Sequence, residues 1–135
     1  MEENRGVHIK RDDLVFPELS YAIVGILYDV YNNLGGGYQE KYYQRAIATA
    51  LTDKGIVFKR EAVVPLTYHG DDVGRYFLDF LIEDKIVLEL KKGNHFAPSN
   101  ISQIMGYLKS LNLKLGLLAN FTNNGLYYKR IVNLN

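Results

Sequence analysis

The 135-residue sequence predicts an α/β domain with a central mixed β-sheet flanked by helices, in the order ααβββαββ. Three observations carry this. Apolar residues recur at spacings of three and four in three separate segments, the period of a helix with one buried face. Runs rich in β-branched and aromatic residues, bounded by Gly, Asp and Asn clusters, occupy most of the remaining chain. The third helical segment lies between two such runs, and a crossover of that kind lets the strands on either side run parallel and be covered on both faces.

Each element has a local reason. Pro17-Glu18-Leu19-Ser20 opens an apolar segment that runs to Leu34 and is stopped by Gly35-Gly36-Gly37, which defines the first helix. Tyr43, Ala46, Ile47, Ala50 and Leu51 mark one face of the second, which ends near Gly55. At its start Gly37 reads as the N-cap and Glu40 as the third helical residue, able to reach back to the cap amide. VFKREAVVPLTY forms the first strand. His69-Gly70-Asp71-Asp72 supplies a turn, RYFLDFLI the second strand, Glu83-Asp84-Lys85 the next turn and IVLELK the third strand. GNHFAPSN is a polar loop. Ile101, Ile104, Met105, Leu108 and Leu111 outline the third helix, LKLGLLANF is a further strand, and Asn123-Asn124-Gly125 turns into LYYKRIV.

With 47% hydrophobic residues the chain fits a single domain over 1–135 that buries about two thirds of its unfolded surface. Residues 1–13 are polar, lack the order of a signal peptide, and read as a flexible lead-in. There are no repeats. The most apolar window, YAIVGILYDVY, is short of the roughly 20 residues a membrane helix needs, so no membrane partner is expected. The absence of cysteine excludes disulfides and thiolate-held zinc and suits a cytoplasmic setting. A net charge of +1 does not by itself announce a nucleic-acid binder. Gly35-Gly36-Gly37 is not followed by the Lys-Ser/Thr of a phosphate-binding loop and is read as a turn. His8, His69 and His95 show no metal-ligand spacing.

The informative stretch is FLDFLIEDKIVLELKKG, where Asp79, Glu89 and Lys91 interrupt apolar runs. Glu89 and Lys91 share one strand face while Leu88 and Leu90 share the other. A three-residue loop at Glu83 to Lys85 pairs Ile82 with Ile86 and sets Asp79 opposite Glu89. A two- or four-residue loop sets Asp79 opposite Leu88, and the sequence leaves both registers open. In the first, two carboxylates face each other, which is unfavourable unless a proton or cation intervenes. The structural alternative is a cross-strand Asp79–Lys91 salt bridge at a sheet edge with Glu89 in water. Glu40 and Tyr43 lie on or beside the buried face of the second helix. Gln103 and Tyr107, one turn apart, flank the apolar stripe of the third.

Together, Gly37-x-x-Glu40-x-x-Tyr43, Asp79, Glu89-x-Lys91 and Gln103-x-x-x-Tyr107 resemble the GxxExxY protein family of the PD-(D/E)xK nuclease superfamily, the last element being similar to its RecB-like branch. The resemblance spans roughly Leu14 to Val132. Leu78 stands where the superfamily often has proline, and Lys92 follows the motif lysine. The resemblance implies a restriction-endonuclease-like core and a metal-dependent nuclease. Asp79, Glu89 and Lys91 would be catalytic. Asp79, Glu89, the Leu90 carbonyl and Glu40, directly or through water, would hold Mg²⁺, with Mn²⁺ as a substitute. Lys91 would orient or help deprotonate the attacking water. Gln103, Tyr107 and Lys92 would contact the substrate, and Gly37 and Tyr43 would shape the site. The substrate implied is nucleic acid, DNA ahead of RNA. The alternative is a nuclease-fold protein that binds nucleic acid or a protein partner without cutting. A homodimer is a further expectation.

Overall fold

The computed structural model describes residues 15–91 and 96–134. The lead-in, His8, Lys92 and His95 lie outside them. Two helices come first, α1 (Pro17–Leu34) and α2 (Glu40–Asp53). They are followed by strands β1 (Phe58–Tyr68), β2 (Asp71–Ile82) and β3 (Ile86–Leu90), helix α3 (Pro98–Leu111), and strands β4 (Leu115–Thr122) and β5 (Gly125–Val132). The sheet order is β1-β2-β3-β4-β5. β3 and β4 run parallel, the other pairs antiparallel. This is the α/β architecture expected from the order of elements, and it agrees with the restriction-endonuclease-like core that the resemblance implies. No helix of the described residues is long and apolar enough to cross a membrane.

The two sheet faces bury separate apolar clusters. On one, Ile23, Ile26 and Leu27 of α1 and Tyr43, Ile47 and Leu51 of α2 pack on Phe80, Ile82, Ile86, Leu88 and Leu117. On the other, Ile104, Tyr107 and Leu108 of α3 pack on Val64, Leu78, Val87, Leu118 and Ile131. All five residues of β3 are buried, as a parallel-paired central strand covered on both faces requires. Gly116 permits the close seat of α3: a Cβ there would stand 2.6 Å from the Ile104 methyl.

Two local expectations need correction. Strand β2 begins at Asp71 rather than Arg75, because His69 and Gly70, with φ of 50° and 83°, make a two-residue turn and leave Asp71 free to pair with Tyr68. The N-cap of α2 is Gln39, not Gly37, and Glu40 is the first helical residue rather than the third. Gly37 has a φ of 95°, outside the extended range a cap adopts, so the helix starts two residues later.

Candidate active site

The register of the β2–β3 hairpin decides where the charges meet. Ile82 pairs with Ile86 and Phe80 with Leu88, so the loop is Glu83 to Lys85 and Asp79 falls opposite Glu89. Beyond the Phe80–Leu88 pair the two carboxylates take over the backbone donors. The Asp79 N–H donates to Glu89 Oε2 at 2.6 Å, and the Leu90 N–H donates to Asp79 Oδ2 at 2.8 Å. Each side chain thus caps the other's strand. The crossed arrangement holds both carboxylates within the sheet.

Their electrostatics are unfavourable as they stand. Glu89 is only 5% exposed. Burial, then the neighbouring Asp79 charge, pushes its carboxyl up to about 7, with Glu40 adding to the shift. Burial also raises the Asp79 carboxyl, against the opposing pull of the Leu90 N–H, Lys91 and Arg60. Lys91 stands 3.9 Å from Glu89 Oε1 and donates a long 3.4 Å bond to Gln103 Oε1. The simple Asp79–Lys91 salt bridge with a solvated Glu89 is therefore not what forms: Glu89 is buried, and it is the carboxylate facing the ammonium.

Helix α2 brings Glu40 to the same end of the sheet. A small pocket of about 20 Å³ lies between Tyr38, Glu40, Tyr43, Leu90, Lys91 and Phe121. The preceding glycines make this approach possible. A Cβ at Gly36 would lie 2.6 Å from the Thr122 carbonyl, and the left-handed Gly37 then turns the chain into the helix. Tyr43 pins the turn: its hydroxyl donates to Gly35 O, accepts from Tyr38 N–H, and its ring stacks on Phe121 at 4.3 Å. Tyr43 is thus a structural staple one turn into α2, and Glu40 sits where the staple puts it.

From the opposite face α3 supplies Gln103 and Tyr107. Tyr107 is buried, its ring 5.5 Å from Tyr76, and its hydroxyl is pushed up to about 12 by burial and the Glu89 charge. Beside them runs a groove of about 570 Å³ between α3 and the β1–β2 hairpin, lined by Val64, Leu66, Tyr76, Gln103, Gly106 and Tyr107. The structure thus gathers Asp79, Glu89, Lys91, Gln103 and Tyr107 at one sheet end, with Glu40 across from them. Sequence reasoning missed Tyr76 and Arg60. Tyr76 looks like any aromatic strand residue until the hairpin folds over α3. Arg60, whose guanidinium lies 5.2 Å over the Phe80 ring, is on β1, one strand from Asp79 and two from Glu89.

Among the described residues no three Asp, Glu, His or Cys side chains converge as a ready metal cage. The donors do fit a hard divalent ion of the Mg²⁺ type, which keeps several waters and takes one or two protein carboxylates. Two opposed carboxylates, one buried and one half-buried, that resist ionising together are the chemistry such an ion relieves.

Residues 17–131 match the PD-(D/E)XK nuclease superfamily. No curated protein matches the sequence. Among solved structures the chain is similar to the crystal structure of SSO0001, with a TM-score of 0.52 and 16% identity over 91% of this chain and 61% of that one. It thus spans about three fifths of that protein's length, and the likeness is one of fold. An alkaline exonuclease from Laribacter hongkongensis is also similar, with a TM-score of 0.48 and 10% identity over 84% of this chain and 82% of that one. Its complex with dAMP aligns to the same extent, over 85% and 82%. By the match over residues 17–131, the chain belongs to the PD-(D/E)XK nuclease superfamily.

Proposed function

We propose that this member of the PD-(D/E)XK nuclease superfamily hydrolyses phosphodiester bonds of DNA with the help of Mg²⁺, for which Mn²⁺ can substitute. The observation that carries the reading is the crossed pair, a half-buried Asp79 beside a buried Glu89, with an ammonium at their rim. Two neighbouring carboxylates in a sheet are costly to fold and are accounted for by a cation that folding alone does not supply. The finer assignment to the GxxExxY family and the RecB-like branch rests on Gly37-x-x-Glu40-x-x-Tyr43 and Gln103-x-x-x-Tyr107.

Asp79 and Glu89 would hold the ion, with the Leu90 carbonyl as a further oxygen donor and Glu40 acting directly or through water. The ion, when bound, supplies Lewis acidity that makes a water nucleophilic and offsets charge at the scissile phosphate. Lys91 orients the attacking water and opposes the negative charge that develops on the phosphoryl oxygens. Gln103 holds Lys91 through its Oε1, and Tyr107 borders the groove through which a substrate strand reaches the carboxylates. Tyr76, exposed and backed by the Tyr107 ring, gives that groove an aromatic face on which a base can stack. A reducing cytoplasm is the compartment proposed.

The test is cleavage of single-stranded DNA, duplex DNA and RNA in Mg²⁺, Mn²⁺ or EDTA, with Asp79→Asn and Lys91→Ala proteins prepared alongside. Metal-dependent cutting by the native protein, lowered by roughly 10²–10³-fold or more in each variant, supports the reading, and the preferred polymer names the substrate. Equal behaviour of all three proteins overturns it. Retention of a nucleic acid without cutting would identify a binding protein on a nuclease fold.

A further inference from the structure

Strand β4 carries one polar residue with no counterpart in its own core. Asn120 is 1% exposed, and among the described residues neither its Oδ1 nor its Nδ2 has a hydrogen-bond partner. A buried amide with both functions unmet is strongly disfavoured, and native structures keep one only for a reason. Its place in the sheet supplies the reason. β3 and β4 are parallel with Glu89 beside Leu118 and Leu90 beside Ala119, and the Lys91 N–H donates to the Ala119 carbonyl at 2.9 Å. The same register sets Asn120 beside Lys91, one strand spacing of about 4.8 Å away. Alternation puts both side chains on the α3 face, with Glu89 and Leu118.

We infer that Asn120 is a positioning residue for Lys91, its Oδ1, without a partner in the described conformation, being the acceptor to which the ammonium turns when it is fixed beside the carboxylate pair. In the described conformation the ammonium leans on Gln103 at 3.4 Å and Glu89 at 3.9 Å, both at or beyond the limit of a good hydrogen bond. An amide oxygen on the adjacent strand gives this flexible side chain a fixed neutral acceptor. A carboxylate in its place would add a further negative charge to the site. Gln103 approaches from α3 and Asn120 from β4, so the two would bracket Lys91 from different elements. Asn120 is 1% exposed and is not proposed to touch substrate.

The inference rests on the nuclease reading for its kinetic arm and is independent of it in its spectroscopic arm. Asn120→Leu keeps the side chain's shape and removes both polar functions. That protein is expected to melt at or above the native temperature, with kcat for cleavage lowered about tenfold or more and KM within twofold of native. In ¹H–¹⁵N spectra of metal-free protein, the side-chain amide signal that disappears in Asn120→Leu should move on Lys91→Met. A native kcat in Asn120→Leu, or an amide signal indifferent to Lys91→Met, overturns the inference while leaving metal-dependent cleavage intact. If the native protein cuts nothing, the nuclease reading falls and the amide signal alone decides whether Asn120 engages Lys91.

Discussion

The two ends of the β2–β3 pairing use the same strands to opposite effect. Near the turn, Phe80, Leu81 and Ile82 pair with Leu88, Val87 and Ile86 through the backbone, and Phe80, Ile82, Ile86, Val87 and Leu88 enter the apolar clusters. One residue beyond the Phe80–Leu88 pair, Asp79 and Glu89 spend their side chains on the backbone donors and leave a half-buried and a buried carboxylate together. The first end gains from burial. The second gives up stability to hold groups that would otherwise avoid each other, which is how functional sites depart from locally consistent design. The departure is confined to one end of the hairpin because the apolar end fixes its register.

That contrast is broken most severely from the apolar side. Leu88→Ala should destabilise the fold by about 3 kcal/mol, read from urea unfolding, because Leu88 is fully buried between β3 and the two N-terminal helices. The same operation at the polar end should have the reverse sign. The Glu89 carboxyl is raised in the folded protein to about 7, from an ordinary value of 4.5. The folded state therefore binds the proton more tightly than the unfolded one. Its stabilising contribution is complete below about pH 4.5 and is lost as pH rises through about 7. Glu89→Gln removes that loss. Metal-free Glu89→Gln at pH 8 should be more stable than the native protein by roughly 1–3 kcal/mol, with the advantage shrinking as pH falls toward 5. Thermal unfolding across that range checks both size and sign.

A smaller effect sharpens the comparison at the rim of the site. Tyr43→Phe keeps the stack on Phe121 but removes the hydroxyl that bonds Gly35 O and Tyr38 N–H. About 1 kcal/mol of stability should go with it. Hydrogen exchange should increase at Tyr38 and the first turn of α2 more than in β3, since the loss loosens the turn that presents Glu40.

Much of this was legible in the sequence, for reasons specific to each part. The element order follows from apolar periodicity, and the parallel β3–β4 pair follows from a helix lying between two strands. Asp79, Glu89 and Lys91 stand out because charged residues interrupt runs that are otherwise buried. The register stayed open because it depends on a loop length that Glu83-Asp84-Lys85 does not fix alone. The crossed bonds were invisible, since each depends on a backbone donor ten or eleven residues away. Gly37 was misjudged as a cap because a glycine ahead of a helix has two uses, and only the close approach of Gly36 to the Thr122 carbonyl selects between them. Asn120 gave the same kind of signal as Glu89, a polar residue inside the apolar run LKLGLLANF, but acquires meaning only from the register that sets it beside Lys91.

The claim at the centre is that the opposed carboxylates form a divalent-cation site. Thermal unfolding at pH 8 with and without millimolar Mn²⁺, run on native and Asp79→Asn protein, tests it without requiring any substrate. The result predicted is a metal-dependent rise in the native melting temperature that Asp79→Asn lacks, because an ion that binds only the folded site stabilises it by mass action. A native melting temperature indifferent to the ion, or an equal rise in both proteins, would contradict it.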